Sequence, residues 1–139
     1  MRHRIAAVSA AALLTLAGAS GVAQAQPSVL KAPSSVVLTV SQGEGAAAVV
    51  RSATLDCAPT VGGTHPNPRA ACAELAATNG DFATLLASPD PNRVCPMHYD
   101  PITVGVNGVW EGKRVSWKHA FSNACVMSST LNGDSVFAF

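Results

Sequence analysis

The residues best suited to chemistry stand together in the run Val94-Cys95-Pro96-Met97-His98-Tyr99-Asp100-Pro101. Met97 to Asp100 supplies a thioether, an imidazole, a phenol and a carboxylate in four consecutive residues. Proline has no N–H and a locked φ, so Pro96 and Pro101 interrupt any helix or strand ladder here. Each also drives the residue before it toward extended geometry. The run therefore reads as a fixed, extended loop that offers the Met97 side chain. Gap-filling beneath a sheet, a common use of an unbranched thioether, suits the residue type equally well.

Catalysis by the chain itself finds no support. There is no Gly-x-Ser-x-Gly nucleophile elbow, and no carboxylate pair has a spacing suited to acid–base work. Gly133-Asp134-Ser135 looks like a fragment of a serine protease, but the chain is too short for that double barrel, and the triplet reads as a polar turn. Cys57, Cys72, Cys95 and Cys125 lack the Cys-x-x-Cys or His-x-x-x-His spacing of a zinc site. No cofactor motif is present, so the expectation is a non-enzyme that works by binding.

Compartment comes from the start of the chain. Arg2-His3-Arg4, an apolar Ala-rich run from Ile5 to Gly18 and the small-residue ending Ala23-Gln24-Ala25 predict a secretory signal peptide over 1–25. A membrane anchor over Ile5–Ala23 is the alternative, and its Ser, Thr and Gly interruptions oppose it. The remaining 114 residues of the 139 carry seven basic and eight acidic side chains, a net charge of −1. Without a basic stripe there is no footprint for a phosphate backbone, and nucleic acid is not expected as a partner. Export implies oxidising surroundings, so four cysteines point to two disulfides. Three pairings are open. The sequential one closes loops of 15 and 30 residues, from Cys57 to Cys72 and from Cys95 to Cys125. In the chain-entropy picture each such bridge contributes about 3–4 kcal/mol, a large share of a net stability of roughly 5–15 kcal/mol.

The elements that must position the loop are legible in part. Residues 26–33 form a loose arm and 34–139 a single domain. Ser35–Val40 and Val49–Leu55 are β-branched and apolar, hence strands. Arg69–Thr78 is a helix closed by Asn79-Gly80, with Cys72, Leu75 and Ala76 on one face. Asp81–Ala87 predicts a second short helix with Asp81 as its N-cap or in its first turn. Ile102–Val106, Val115–Phe121 and the terminal Ser135–Phe139 are late strands. Either Asn107-Gly108 or Glu111-Gly112 reverses the chain between the first two. His65 is expected as a surface or structural hydrogen bonder rather than a ligand, and His119 as solvated. Trp110 and Trp117 read as core or sheet-face residues, and Lys113-Arg114 as a solvated pair at a turn. Strands without alternating helices give an α+β fold with an antiparallel sheet covered on one side.

A rigid extended loop with one protruding side chain is what a serine protease cleft accepts, by main-chain pairing plus a pocket. The chain resembles the Streptomyces-type subtilisin inhibitor family from about Pro33 to Phe139. The resemblance rests on Ala32-Pro33-Ser34 before Val37-Leu38-Thr39-Val40, on Leu55 and Cys57-Ala58-Pro59, on Gly63-Thr64-His65-Pro66, and on Ala71-Cys72-Ala73-Glu74-Leu75. It continues through Cys95-Pro96-Met97-His98-Tyr99-Asp100-Pro101, Gly108-Val109-Trp110-Glu111-Gly112-Lys113-Arg114-Val115-Ser116, Phe121-Ser122-Asn123-Ala124-Cys125 and Ser135-Val136-Phe137-Ala138-Phe139.

The resemblance implies a five-stranded antiparallel sheet with two helices on one face and the disulfides Cys57–Cys72 and Cys95–Cys125. It implies a homodimer packed sheet on sheet near Val37. It also implies inhibition of subtilisin-like proteases through a reactive bond Met97–His98 flanked by the contact residues Val94, Cys95, Pro96, Tyr99 and Asp100. Met97 suits the broad apolar pockets of subtilisin-like and chymotrypsin-like enzymes and offers no charge to a trypsin-type pocket. His98 departs from the family, which more often places a small or β-branched apolar residue there. The rival expectation is a secreted module of the same fold without inhibitory activity, such as a substrate of cross-linking enzymes using Gln26, Lys31 or Gln42.

Overall fold

The computed structural model describes residues 30–45, 48–86 and 89–139; the expected signal segment lies outside them. Strand β1 (Ser34–Gln42) pairs antiparallel with β2 (Ala48–Ala58) on one side and with β4 (Ile102–Trp110) on the other. A two-residue β3 (Gly62–Gly63) adds to β2, and β5 (Lys113–Phe121) adds to β4, giving the order β3-β2-β1-β4-β5.

The alternation of β1 sets the two faces. Val36, Leu38 and Val40 are buried, while Val37 remains 43% exposed on the opposite face. The buried face meets Leu55, Val104 and Val106 from neighbouring strands and Leu75, Phe82, Leu85, Met127 and Val136 from the segments packed over it.

Helix α1 (Pro68–Ala77) starts where Asn67 caps it, its side-chain oxygen accepting the Ala70 N–H, and Pro68 occupies the first helical position. It ends as the Asn79-Gly80 pair predicts. Asn79 takes a positive φ of 53°, its N–H donates to the Ala76 carbonyl, and the Gly80 N–H donates to that of Leu75. Gly80 is also required by space, because a Cβ there would come within 2.4 Å of the Trp110 ring. The buried face carries Ala71, Cys72 and Leu75, whereas Ala76, expected inside, is exposed.

Several expectations are corrected. The second predicted helix is a 3-10 turn over Phe82–Leu86. The second α-helix is instead α2 (Ala124–Thr130), a segment with no helical pattern of its own. Asn107-Gly108 does not turn the chain but lies inside β4, paired with Val37 and Val36 on one side and with Ser116 and Val115 on the other. The reversal occurs at Glu111-Gly112, both at positive φ, as a two-residue hairpin demands. It is fixed by the Ser34 hydroxyl accepting the Glu111 N–H and the Pro33 carbonyl accepting that of Gly112.

Ser135–Phe139 is not a strand. Three of its N–H groups go to side chains: Glu74 accepts that of Ser135 at 2.6 Å, and one Asp134 oxygen accepts those of Val136 at 2.6 Å and Phe137 at 3.0 Å. The buried His65 accepts the Asn67 N–H at Nδ1 and donates from Nε2 to the Val136 carbonyl at 3.0 Å. His119 is exposed, and the half-buried Trp117 stacks on Phe82 at 5.9 Å.

Burial lifts the Asp134 carboxyl to about 6, with a further upward push from nearby Glu74, against the two N–H donors. Its second oxygen is buried without a partner. An unfolded Asp titrates near 3.8, so between these values the folded chain holds a proton that the unfolded chain has lost. The stability contributed by Asp134 therefore falls as pH rises from about 4 to about 6 and levels off above. Asp134→Asn keeps one acceptor oxygen and removes the charge, so its melting temperature should climb relative to wild type across this window. A difference between the two that stays constant from pH 4 to 7 would refute the assignment.

Candidate functional site

The loop before β4 is exposed as its sequence demands. Met97 is 100% exposed, Val94 94% and Tyr99 65%, and His98 also faces solvent. Gap-filling by Met97 is thereby excluded. Among the described residues, no group takes the N–H or C=O of Val94, Cys95 or Met97, so this stretch of main chain is free to pair with another strand.

What fixes the loop arrives from three directions. The Cys95–Cys125 disulfide ties it to the first turn of α2, with Cα atoms 5.6 Å apart; Cys57–Cys72 joins β2 to α1. Sequential pairing is thus the one the fold adopts.

The second support is Asn123, only 1% exposed. Its Nδ2 donates to the Pro96 and His98 carbonyls, each at 3.0 Å, so one buried amide grips the main chain on both sides of Met97. Its Oδ1 accepts the Val126 N–H at 3.0 Å and caps α2. The Asp100 N–H adds a bond to the Ser122 carbonyl at 2.9 Å.

The third support is the β1–β2 hairpin. Gln42 donates to an Asp100 oxygen at 2.8 Å and to the Pro101 carbonyl at 3.3 Å, and the Gly43 N–H donates to the same carbonyl at 2.7 Å. Tyr99 donates its phenol proton to Glu44, which raises the phenol above its ordinary pKa through that bond. Upstream, the Asp90 N–H reaches the Ser129 carbonyl of α2 at 2.9 Å.

All the sequence-predicted site residues, Val94 through Asp100, therefore lie on one surface loop. Sequence reasoning placed Asn123 only inside a motif and did not see its role, nor those of Gln42 and Glu44. The one available signal was an Asn before an apolar run, a helix cap at Asn123. Gln42, considered as an exposed cross-linking residue, is exposed and also bonded to the loop. The loop lines none of the main surface cavities, and among the described residues no group of three or more His, Cys, Asp or Glu could hold a metal ion; the loop's chemistry is that of a peptide displayed in one conformation.

The profile described as subtilisin inhibitor-like matches residues 32–123. The chain is 59% identical over 112 residues to subtilisin inhibitor-like protein 15 of Streptomyces bikiniensis, spanning 78% of this chain and 99% of that one. It is 56% identical over 110 residues to subtilisin inhibitor-like protein 8 of Streptomyces virginiae, with shares of 78% and 99%. Among solved structures it matches Streptomyces caespitosus sermetstatin, crystallised in complex with Bacillus licheniformis subtilisin, at a TM-score of 0.74 and 57% identity, covering 77% of this chain and 99% of that one.

The two jobs of Asn123 are separable by substitution. Asn123→Asp keeps the capping oxygen but turns a donor into an acceptor facing two carbonyls. Helix α2 should persist while backbone order at Met97 and His98 falls from about 0.85 toward 0.6 by NMR relaxation. Asn123→Ala loses cap and tethers together and should cost about 2–4 kcal/mol of unfolding free energy. Undiminished loop order in Asn123→Asp would show that the amide does not hold the loop.

Proposed function

We propose, on the premise that the chain belongs to the subtilisin inhibitor-like family, that it inhibits subtilisin-like serine proteases by binding as a substrate that cannot be finished. The reading is carried by one observation: Met97 is wholly exposed while the carbonyls on either side of it are held by the buried Asn123.

The free main chain from Val94 to Met97 pairs with the cleft, and the Met97 side chain fills the specificity pocket. Little freedom remains to be lost, which removes an ordering cost of about 0.5–1.5 kcal/mol per side chain. The nucleophile attacks the Met97 carbonyl and the oxyanion hole stabilises the adduct. When the Met97–His98 bond breaks, the new amine on His98 stays where it was. On its side, Asn123 holds the His98 carbonyl, Glu44 the Tyr99 phenol and Ser122 the Asp100 N–H. On the acyl side, Asn123 holds the Pro96 carbonyl and the disulfide holds Cys95. An amine so placed acts at an effective concentration that reaches roughly 10⁵–10⁸ M in well-oriented cases. Resynthesis outruns hydrolysis, and the enzyme remains occupied.

In this reading the chain is exported by residues 1–25, works outside the cell without a cofactor, and carries an arm over 26–33 ahead of a single inhibitor domain over 34–139. It forms a homodimer through the uncovered face of the sheet, where Val37 and the half-buried Val109 sit among Thr54, Asn107 and Ser116.

Titration of subtilisin with purified protein should abolish activity at one inhibitor chain per enzyme; steady digestion of the protein would support a non-inhibitory module instead. Trypsin should be spared, and Met97→Lys should lower its inhibition constant by about two orders of magnitude, since a cation then meets the acidic pocket floor. A Met97→Lys variant that ignores trypsin yet still inhibits subtilisin would remove Met97 from the primary contact. For the dimer, sedimentation at micromolar concentration should give twice the chain mass, and Val37→Asp should halve it. A wild-type monomer under these conditions would sink the dimer.

A further inference from the structure

We infer that Met97 is a reversible oxidation site through which hydroperoxides switch the binding loop off. The switch rests on the inhibitor reading above; the modification itself does not. Three observations converge.

Among the residues after the expected signal, methionine occurs only at positions 97 and 127. Met97 is fully exposed, while Met127 is 8% exposed and packed in the core. All four cysteines are in disulfides, so no thiol competes for oxidant. Finally, the loop cannot withdraw the thioether. Its neighbouring carbonyls are bound to Asn123 and its flank is bridged to α2, so the sulfur stays in water whenever no protease covers it.

The step is a two-electron oxygen transfer. A sulfur lone pair attacks one oxygen of hydrogen peroxide, the S–O bond forms as the O–O bond breaks, and the other oxygen leaves as water with both protons. Sulfur is oxidised and peroxide reduced. The product is a polar, chiral sulfoxide in place of a flexible apolar group. Buried in an apolar specificity pocket without a donor, that oxygen opposes binding. A sulfoxide this exposed is open to thiol-dependent methionine sulfoxide reductases, which return the thioether.

The test exposes the full mature protein to hydrogen peroxide, quenches it before any protease is added, and reads two quantities. Peptide mass spectrometry should show the gain of one oxygen, about 16 Da, at Met97 well before Met127. Titration should show the subtilisin inhibition constant rising roughly ten- to a hundredfold in step with that gain, and returning after reductase treatment. The inhibition constant of Met97→Leu, whatever its starting value, should not move with peroxide.

Equal or earlier oxygen uptake at Met127 overturns the site. Complete oxidation at Met97 with an inhibition constant within about twofold of the untreated value overturns the switch. If the untreated chain does not inhibit subtilisin at all, the function and the switch fall together, while the order of oxygen uptake still decides the site.

Discussion

One buried amide organises the working end of this molecule. Asn123 has three hydrogen-bonding partners in reach, and all three matter: the Val126 N–H at the start of α2 and the carbonyls of Pro96 and His98. Away from water such bonds are strong, and leaving any of these groups unpaired is costly. The amide therefore links the existence of a seven-residue helix to the conformation of an exposed loop. Neither is self-sufficient. A helix of two turns is marginal alone, and a loop containing two prolines has no ladder to hold it. Joined through one side chain and the neighbouring Cys95–Cys125 bridge, each supplies what the other lacks.

The sheet gives this arrangement a rigid base from the other side. Gln42, the last residue of β1, the central strand, and Gly43 and Glu44 just after it reach Asp100, Pro101 and Tyr99. Thr103, at the start of β4, donates back to the Gly43 carbonyl at 2.6 Å, closing the corner where loop, hairpin and sheet meet. Rigidity at Met97 is thus inherited from contacts distant in sequence, which is why it survives on a surface where every large side chain is wet.

The sequence disclosed the loop well and its supports poorly, and the difference is physical. Prolines at 96 and 101 act locally, through φ and a missing donor, so their effect is readable from neighbours alone. The end of α1 is likewise local, since Asn79-Gly80 needs no distant partner to adopt its geometry. The Asn123 contacts span 25 and 27 residues and leave no periodic trace. Ala124–Thr130 contains Val126, Ser128, Ser129 and Thr130, none a strong helix former, so its cap, its bridge and the packing of Met127 into the core support the helix more than propensity does. Ser135–Phe139 looks like a strand because β-branched and aromatic residues dominate. Its first three N–H groups are nevertheless claimed by Asp134 and Glu74, and tertiary context overrides the pattern. Asn107-Gly108 misleads for a related reason. A two-residue turn there would forfeit the pairing of Val109 with Arg114 and of Trp110 with Lys113, and would leave the buried Trp110 without its place at the strand end.

The fold also shows how display and stability are reconciled in so short a chain. An exposed Met97, Val94 and Tyr99 contribute almost nothing to the core, so the loop must be held by bonds rather than by burial. The core is correspondingly concentrated elsewhere: Val36, Leu38, Leu55, Leu75, Val104, Val106 and Val136 are each at most 2% exposed. The two disulfides divide along the same line. Cys57–Cys72 fastens α1 to the sheet and serves the core, while Cys95–Cys125 fastens the loop to α2 and serves display. Both close loops in the unfolded chain and so contribute to global stability at about 3–4 kcal/mol each. Only the second also restrains motion about Met97 in the folded state. Reducing that bridge acts on two quantities at once, whereas Asn123→Asp acts mainly on the local one. That is why the amide is the cleaner handle on what the loop does.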